Sequence, residues 1–404
     1  MKYPVTAGNK GTKVRGDCLI TFDPQADKDL AIRVDSRVDI LFGKAIAATA
    51  RKVFDFFSIE KGDVHIEDAG ALDFVLAARI EACIKKAFPV EHNFLPDILP
   101  ANQYGSARKQ LRQSRLYLPG NTPKMMINAG IHHPHAVILD LEDAVAVDKK
   151  DEARLLVRNA LRQVDFYGAE RMVRINQIPR GLTDLDQVVP HNVHVILIPK
   201  CESSAEIEQV NDRIEAIKSG EKLEQEVFLM PIIESAKGVL NAEKIAAAGK
   251  NIVALAIGLE DYTADLGVRR STEAIESLYA RSHLVNVCKA YDLQAIDSVF
   301  SDVGDTEGLK QTVQRSKTLG FEGMGCIHPR QIRIIHDGYS PDEEEILKSK
   351  TIVKAFEEAL GEGKGVVSVG TKMIDAPVVE KAQQTIMAAI QLGKLSEDWR
   401  GSHE

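Results

Sequence analysis

The stretch VILDLEDAVAVDKKDEAR, residues 137 to 154, begins as an apolar run and then crowds Asp140, Glu142 and Asp143 into its end. Carboxylates set so close repel one another, so the group points to a cation between them. Further polar residues close other short apolar runs: Arg174 and Asn176 in VRIN, Lys200 in ILIPK, Glu234 in PIIESAKG, Glu260 and Asp261 in IGLEDYTADLG, Asp297 in QAIDSVF and His328 in GCIHP. Hard oxygen donors suit Mg²⁺, which takes one or two carboxylates and leaves its other positions to water and substrate. Each residue also has a plainer reading. Glu142 and Asp143 can cap a helix or pair with Lys149 and Lys150, and Arg174 can simply neutralise Glu142. Glu234 suits a helix's first turn, and His328 before Pro329 reads better as a turn histidine than as a catalytic one. Their convergence at one end of a common framework is what would separate chemistry from pairing.

The framework has to bring those ends together. The runs are 115 to 118, 136 to 141, 172 to 176, 194 to 200, 227 to 233, 253 to 258, 294 to 300 and 322 to 327, and a helix-compatible segment follows each. Strands buried on both faces read as continuous apolar runs of this kind. The spacing predicts an α/β fold, a TIM (β/α)8 barrel over 111 to 338, with a doubly wound sheet as the alternative; in such a barrel the reactive face lies at the strands' C-terminal ends. The HHPH run at 132 to 135 resembles a metal site but precedes a strand, which puts it on the opposite face as a loop.

Residues 1 to 90 read as a small α+β domain, with strands at 17 to 22, 30 to 36 and 63 to 68 and helices at 38 to 57 and 71 to 88. The proline-bearing stretch that follows, through 91 to 110, reads as a linker. Beyond the barrel, 339 to 404 should hold C-terminal helices and a lid. Ser340 to Glu343 has the pattern of a capping box with Pro341 at the first helical position, ahead of an exposed charged helix. A glycine-rich, hairpin-like segment (361 to 379) and an amphipathic terminal helix complete it, as a disposable tail or as a lid that completes a site on this or a neighbouring subunit.

The chain has 404 residues, 44% hydrophobic and 27% charged, with a formal net charge of -8. That suffices for a globular core and gives no basic field for a nucleic acid. No apolar run reaches the ~18 to 20 residues of a membrane span, and the start, MKYPVTAGNKGTK, lacks a hydrophobic signal core, so the expected location is cytoplasmic. Five scattered cysteines without a CxxC pair suggest neither disulfides nor a zinc site, and Cys326 reads as a small buried thiol.

RLYLPGNTPKM, VILDLEDAVAVDKKDEAR, VRIN, ILIPK, PIIESAKG, AIGLEDYTADLG and GCIHPRQI, in that order, resemble the citrate lyase β-subunit or HpcH/HpaI aldolase superfamily, in its CoA-thioester lyase branch. Residues 8 to 88 resemble the citrate lyase acyl carrier subunit, so the chain looks like a fusion of the two. The resemblance implies Glu234 and Asp261 as Mg²⁺ ligands, with Mn²⁺ as the alternative ion. It implies Arg174 as the residue that holds substrate and stabilises a thioester enolate, and Glu142 and Asp143 as acids beside the metal. Tyr117 and the Pro119-Gly120-Asn121 turn match the region that receives the CoA. Asp375, in KMIDAPVV, matches an aspartate that enters a neighbouring subunit's site as acid/base, which implies a homo-oligomer, a trimer or hexamer in the relatives.

Two departures matter. The carrier serine that bears a prosthetic group is Arg15 here, and Thr12 is three residues off, so no covalent prosthetic group is expected and free acyl-CoA is the expected substrate. The arginine that should precede Ser114 is Gln113, flanked by Arg112 and Arg115, which leaves the CoA phosphate contacts open. The expected activity is Mg²⁺-dependent retro-aldol cleavage of citramalyl-CoA, malyl-CoA or citryl-CoA to acetyl-CoA and a 2-oxo acid. The alternatives are a malyl-CoA-type thioesterase on the same site and a non-catalytic subunit of a citrate-lyase-like complex.

Overall fold

The computed structural model describes residues 3–271, 273–361, 366–369 and 372–400, in two compact units, Met1–Ile332 and Arg333–Glu404. The first opens with β1 (Val5–Gly8), β2 (Cys18–Asp23), β3 (Ala31–Ser36), α1 (Asp39–Phe56), β4 (Asp63–Asp68) and α2 (Asp73–Ala87). The strands form one sheet in the order β1-β2-β4-β3, antiparallel except for β3 with β4. β2 alternates buried and half-buried side chains, as a sheet covered on one face should. β1 was not foreseen: its four residues VTAG are too short and mixed to show a period, and pairing with β2 defines it.

Helix α2 is buried on nearly every side, Arg79 and Glu81 included, because it lies between its own sheet and the first long helix of the barrel. The stretch expected as a linker is packed. Asn102 donates to the carbonyls of Val164 (2.6 Å) and Leu161 (3.5 Å), Tyr104 donates to Ala169 O at 2.7 Å, and the Arg171 guanidinium stands 4.1 Å from the Tyr104 ring.

The barrel alternates β5 (Ser114–Pro119), α3 (Pro123–Ile127), β6 (Ala136–Asp140), α4 (Lys150–Gln163), β7 (Glu170–Arg174), α5 (Gly181–Val188), β8 (Val195–Ile198), α6 (Ser204–Glu221), β9 (Phe228–Ile233) and α7 (Ala236–Ala247). It continues with β10 (Ala254–Ile257), α8 (Leu259–Leu266), α9 (Leu278–Ala290), β11 (Gln294–Asp297), α10 (Thr306–Leu319) and β12 (Gly323–Cys326). All eight strands pair in parallel and β12 closes on β5, so the barrel is complete and the doubly wound alternative is set aside. Its interior is filled by side chains such as Ile138, Met172, Leu197, Met230 and Ile296, a packed core that leaves chemistry to the rim.

The second unit begins within α11 (Pro329–Tyr339) and continues with α12 (Glu343–Gly361), the paired strands β13 (Val367–Val369) and β14 (Lys372–Ile374), and α13 (Ala376–Gln391). Part of the expected hairpin, residues 362–365 and 370–371, lies outside the described residues. The capping box is two residues later than the sequence pattern suggested: Asp342 N donates to the Glu345 carboxylate at 3.1 Å and Glu345 N to the Asp342 carboxylate at 2.7 Å. Ser340 closes α11 instead, its N donating to His336 O. Helix α12 is charged on one side only, since Ile346, Ile352 and Val353 are buried, the last two in a core with Ile386 and Trp399. Among the described residues no helix is long and apolar enough to cross a membrane.

Candidate active site

At the C-terminal ends of the strands the acids and the arginine do converge. Arg174, the last residue of β7, places Nε on Asp140 Oδ1 and Nη2 on Asp140 Oδ2, each at 2.7 Å. Asp140 is paired with Arg174 by register at the end of β6, so adjacent strands set up this bidentate fork. The carboxylate also accepts Glu142 N at 2.9 Å and Ala144 N at 3.0 Å, which shapes the turn that carries the next two acids. Arg174 Nη1 then reaches Glu142 Oε2 at 3.1 Å and Asp143 Oδ2 at 3.6 Å, and the guanidinium lies 5.3 Å from the Tyr117 ring. Burial opposes the arginine's charge, but Asp140 outweighs it and holds Arg174 firmly protonated.

Lys200 had only a place in the sequence pattern, with no role attached. It follows β8 in a left-handed backbone conformation, φ 48°, that returns its side chain toward the acids. Its Nζ stands 2.9 Å from Glu142 Oε1, 3.4 Å from Asp143 Oδ2 and 3.9 Å from Asp261 Oδ1. Burial works against ionisation of Glu142, yet contacts with Asp143, Arg174, Lys200 and Gln177 pull its carboxyl down. Asp143, half exposed, moves the other way, pushed up by burial and by Glu142 beside it. The cluster therefore sets an ionised carboxylate beside one whose affinity for a proton is raised.

Glu234 follows β9 and is buried, with its Oε2 accepting the backbone N–H of Lys200 at 2.8 Å. Burial lifts its carboxyl to about 7, against the pull of the Lys200 N–H and of Arg174 and with the push of Asp261. Its other oxygen lies against Gly258, where a Cβ would come within 2.3 Å. Glycine there makes room for the carboxylate. Asp261 sits half exposed in the first turn of α8, and both acids line one cavity of about 530 Å³.

That cavity is also lined by Arg115, Tyr117, Pro119, Met125, Asp140, Asp143 and Arg174. Gly120 and Asn121 stand behind it: Gly120 N donates to Asp140 O at 2.8 Å, and Asn121 faces the N-terminal domain. Arg112 turns away from the mouth, since its guanidinium forks onto Glu170, at the start of β7, at 2.7 Å on both oxygens. Arg15 is exposed and donates to Thr12 O and Val14 O. Asp375 lies in the second unit as the N-cap of α13, accepting Val378 N at 3.4 Å.

The other strand-end residues have partners of their own, and of these Asp297 and Glu260 also line the cavity. Asp297 pairs with Arg281 and with Ser316, Asn176 with Asp184, and Glu260 with Arg270. His328 accepts Arg330 N at 3.2 Å, as a turn histidine does. Cys326 is fully buried and burial pushes its thiol up to about 12, the setting of a small buried thiol.

The donor chemistry fits a hard divalent cation. Glu234 offers a buried carboxylate facing the cavity, and Asp261 lines the same space. Among the described residues no group of three or more His, Cys, Asp or Glu side chains is assembled to hold a metal. A two-carboxylate set that leaves coordination to water and substrate is the arrangement Mg²⁺ uses.

Residues 113–329 match the family profile described as HpcH/HpaI aldolase/citrate lyase, and residues 6–87 match that of the malonate decarboxylase delta subunit. The chain is 38% identical over 283 residues to citrate lyase subunit beta of Haemophilus influenzae, across 69% of this chain and 97% of that one. It is 34% identical over 296 residues to mitochondrial citramalyl-CoA lyase of Homo sapiens, across 70% of this chain and 86% of that one. Among solved structures, protein CitE from Mycobacterium tuberculosis in complex with magnesium, acetoacetate and coenzyme A superposes with a TM-score of 0.58 at 26% identity, over 70% of this chain and 99% of that one.

Proposed function

Since the chain belongs to the HpcH/HpaI aldolase/citrate lyase family, with a carrier-like domain ahead of the barrel, we propose that it is a Mg²⁺-dependent lyase. Its substrate is a 3-hydroxy-dicarboxyl-CoA thioester, citramalyl-CoA, malyl-CoA or citryl-CoA, and its products are acetyl-CoA and a 2-oxo acid. The observation that carries this reading is one fixed guanidinium and two metal-competent carboxylates, Arg174, Glu234 and Asp261, lining a single cavity at the strand ends.

Cleavage between the α and β carbons removes the hydroxyl proton, turns the β carbon into a ketone and leaves the electron pair as a thioester enolate. Glu234 and Asp261 would hold the Mg²⁺. When bound, the ion supplies Lewis-acid acidification of the substrate hydroxyl and orientation of its carboxylate. Asp143 is assigned the hydroxyl proton, because it lines the cavity and burial beside Glu142 raises its affinity for protons. Arg174 faces the developing enolate oxygen. Its charge is preorganised by Asp140, so no reorganisation is needed as negative charge develops. Glu142 keeps Arg174 Nη1 and Lys200 in place. Asp375, delivered from a neighbouring copy of the chain, protonates the enolate carbon, a role that rests on the motif KMIDAPVV.

Arg15 in the carrier-like domain offers no hydroxyl for a covalent prosthetic group, which favours free acyl-CoA as substrate. Product analysis with the three CoA esters tests the reading. A 2-oxo acid with acetyl-CoA supports the lyase, whereas a free 3-hydroxy acid with CoA identifies a thioesterase.

A further inference from the structure

The N-terminal domain is joined to the barrel through charge as well as apolar surface. Arg79 of α2 is fully buried and donates Nε and Nη2 to Asp17 at 3.0 and 2.9 Å. Its Nη1 stands 3.5 Å from Glu152 of α4, which also takes Lys86 at 2.8 Å, Lys149 at 3.0 Å and Gly8 N at 3.2 Å. Burying such a network is costly and adds little net stability over an apolar contact of the same shape. What it gives is a fixed geometry, and that geometry ends on one atom.

That atom is Asn121 O, in the turn after β5. Arg79 Nη2 donates to it at 3.2 Å, and so does Asn9 Nδ2, also at 3.2 Å, while Asn9 Nδ2 is held 2.8 Å from Asp17 Oδ2. On its other side the turn is tied to the barrel, since Gly120 N donates to Asp140 O at 2.8 Å and a Cβ on Gly120 would come within 2.4 Å of that oxygen. The turn that begins with the cavity-lining Pro119 is thus pinned from two sides. One side is the strand whose aspartate grips Arg174, and the other is the carrier-like domain.

We infer that Asn9 and Arg79 are positioning residues for CoA-ester binding: the N-terminal domain holds Asn121 from behind and so sets Pro119, the residue of that turn that lines the cavity. This rests on the proposed lyase reading and on the family resemblance by which that turn receives the CoA. The domain then serves as a fixed backing for one edge of the lyase site. A chain stripped of these two donors would keep its metal-binding acids and lose the registration of the thioester end.

The test is steady-state kinetics in the condensation direction on the full chain, comparing Asn9→Leu with the parent. Asn9→Ser, too small to crowd Asp17, serves as the folding control. Loss of the Asn9 donor should raise KM for acetyl-CoA roughly five-fold or more, while KM for the 2-oxo acid and kcat stay within about two-fold. A purely structural role would lower the melting temperature and shift all three together, and that result, or an unchanged KM for acetyl-CoA, overturns the inference. If the parent protein turns over none of the CoA esters, the lyase reading fails first. Calorimetric titration with CoA itself then decides: weaker binding to the Asn9 variants supports the positioning role, and equal binding overturns it.

Discussion

Arg174 and Asp140 meet fork to fork, Nε on Oδ1 and Nη2 on Oδ2, both at 2.7 Å, and Glu142 and Asp143 stand at the remaining guanidinium nitrogen. Lysine cannot reproduce the fork, because an ammonium is a point charge on a flexible stem. Arg174→Lys should lower kcat by roughly 100-fold or more, the size of effect seen when one preorganised oxyanion donor is removed. A loss below about tenfold would mean that charge alone suffices at this position.

Gly258 tests the metal side without replacing either proposed ligand. A Cβ there meets Glu234 Oε1 at 2.3 Å, so Gly258→Ala must displace the carboxylate. The variant should fold, bind Mg²⁺ at least about tenfold more weakly and regain rate at high Mg²⁺. Unaltered Mg²⁺ dependence would remove Glu234 from the metal site.

Asp375 has a structural role already, as the cap of α13, and asparagine caps a helix as well as aspartate does. Asp375→Asn should therefore leave the melting temperature unchanged and lower kcat by roughly 100-fold. Mixing it with inactive Arg174→Ala should restore part of the activity if the two residues serve one site from different copies. No restoration in a mixed oligomer would place the acid elsewhere.

Two buried histidines predict acid lability. Burial, reinforced by Arg158 and Arg162, pushes His191 down to about 3; burial and Arg171 push His194 down to about 4. Unfolded, both take up a proton near 6.5, so their stabilising contribution is complete above that pH and is lost progressively as pH falls toward 4 and 3. At pH 5 the deficit is on the order of 2 kcal/mol for each histidine. Melting temperatures followed from pH 8 to 5 should fall, and His191→Gln should flatten the slope; a slope that the substitution leaves intact would assign the acid sensitivity to other groups.

The barrel was legible because its strands are buried on both faces and their apolar runs carry the signal without help from neighbours. Glu234, Asp261, Glu142 and Arg174 were legible as strand-end residues for the same reason. Lys200 was legible as a strand-end residue too, but its contacts with Glu142, Asp143 and Asp261 were not, since they arise at a residue in the left-handed conformation. Nor was the burial of α2. Arg79 and Glu81 look like an exposed face in sequence, and their partners Glu152 and Arg158 lie more than seventy residues away. The capping box slipped because α11 runs on to Tyr339, so that Asp342 to Glu345 became the start of the next helix.

The central claim is that metal-dependent carbon–carbon cleavage occurs in the cavity shared by Arg174, Glu234 and Asp261. The measurement that addresses it most directly is quantification of the 2-oxo acid released by the purified protein from citramalyl-CoA, malyl-CoA and citryl-CoA, with Mg²⁺ and with excess EDTA. The account predicts stoichiometric 2-oxo acid and acetyl-CoA from at least one ester with Mg²⁺, abolished by EDTA and restored by added Mg²⁺. Release that persists in EDTA, or thioester loss with no 2-oxo acid formed, would contradict it.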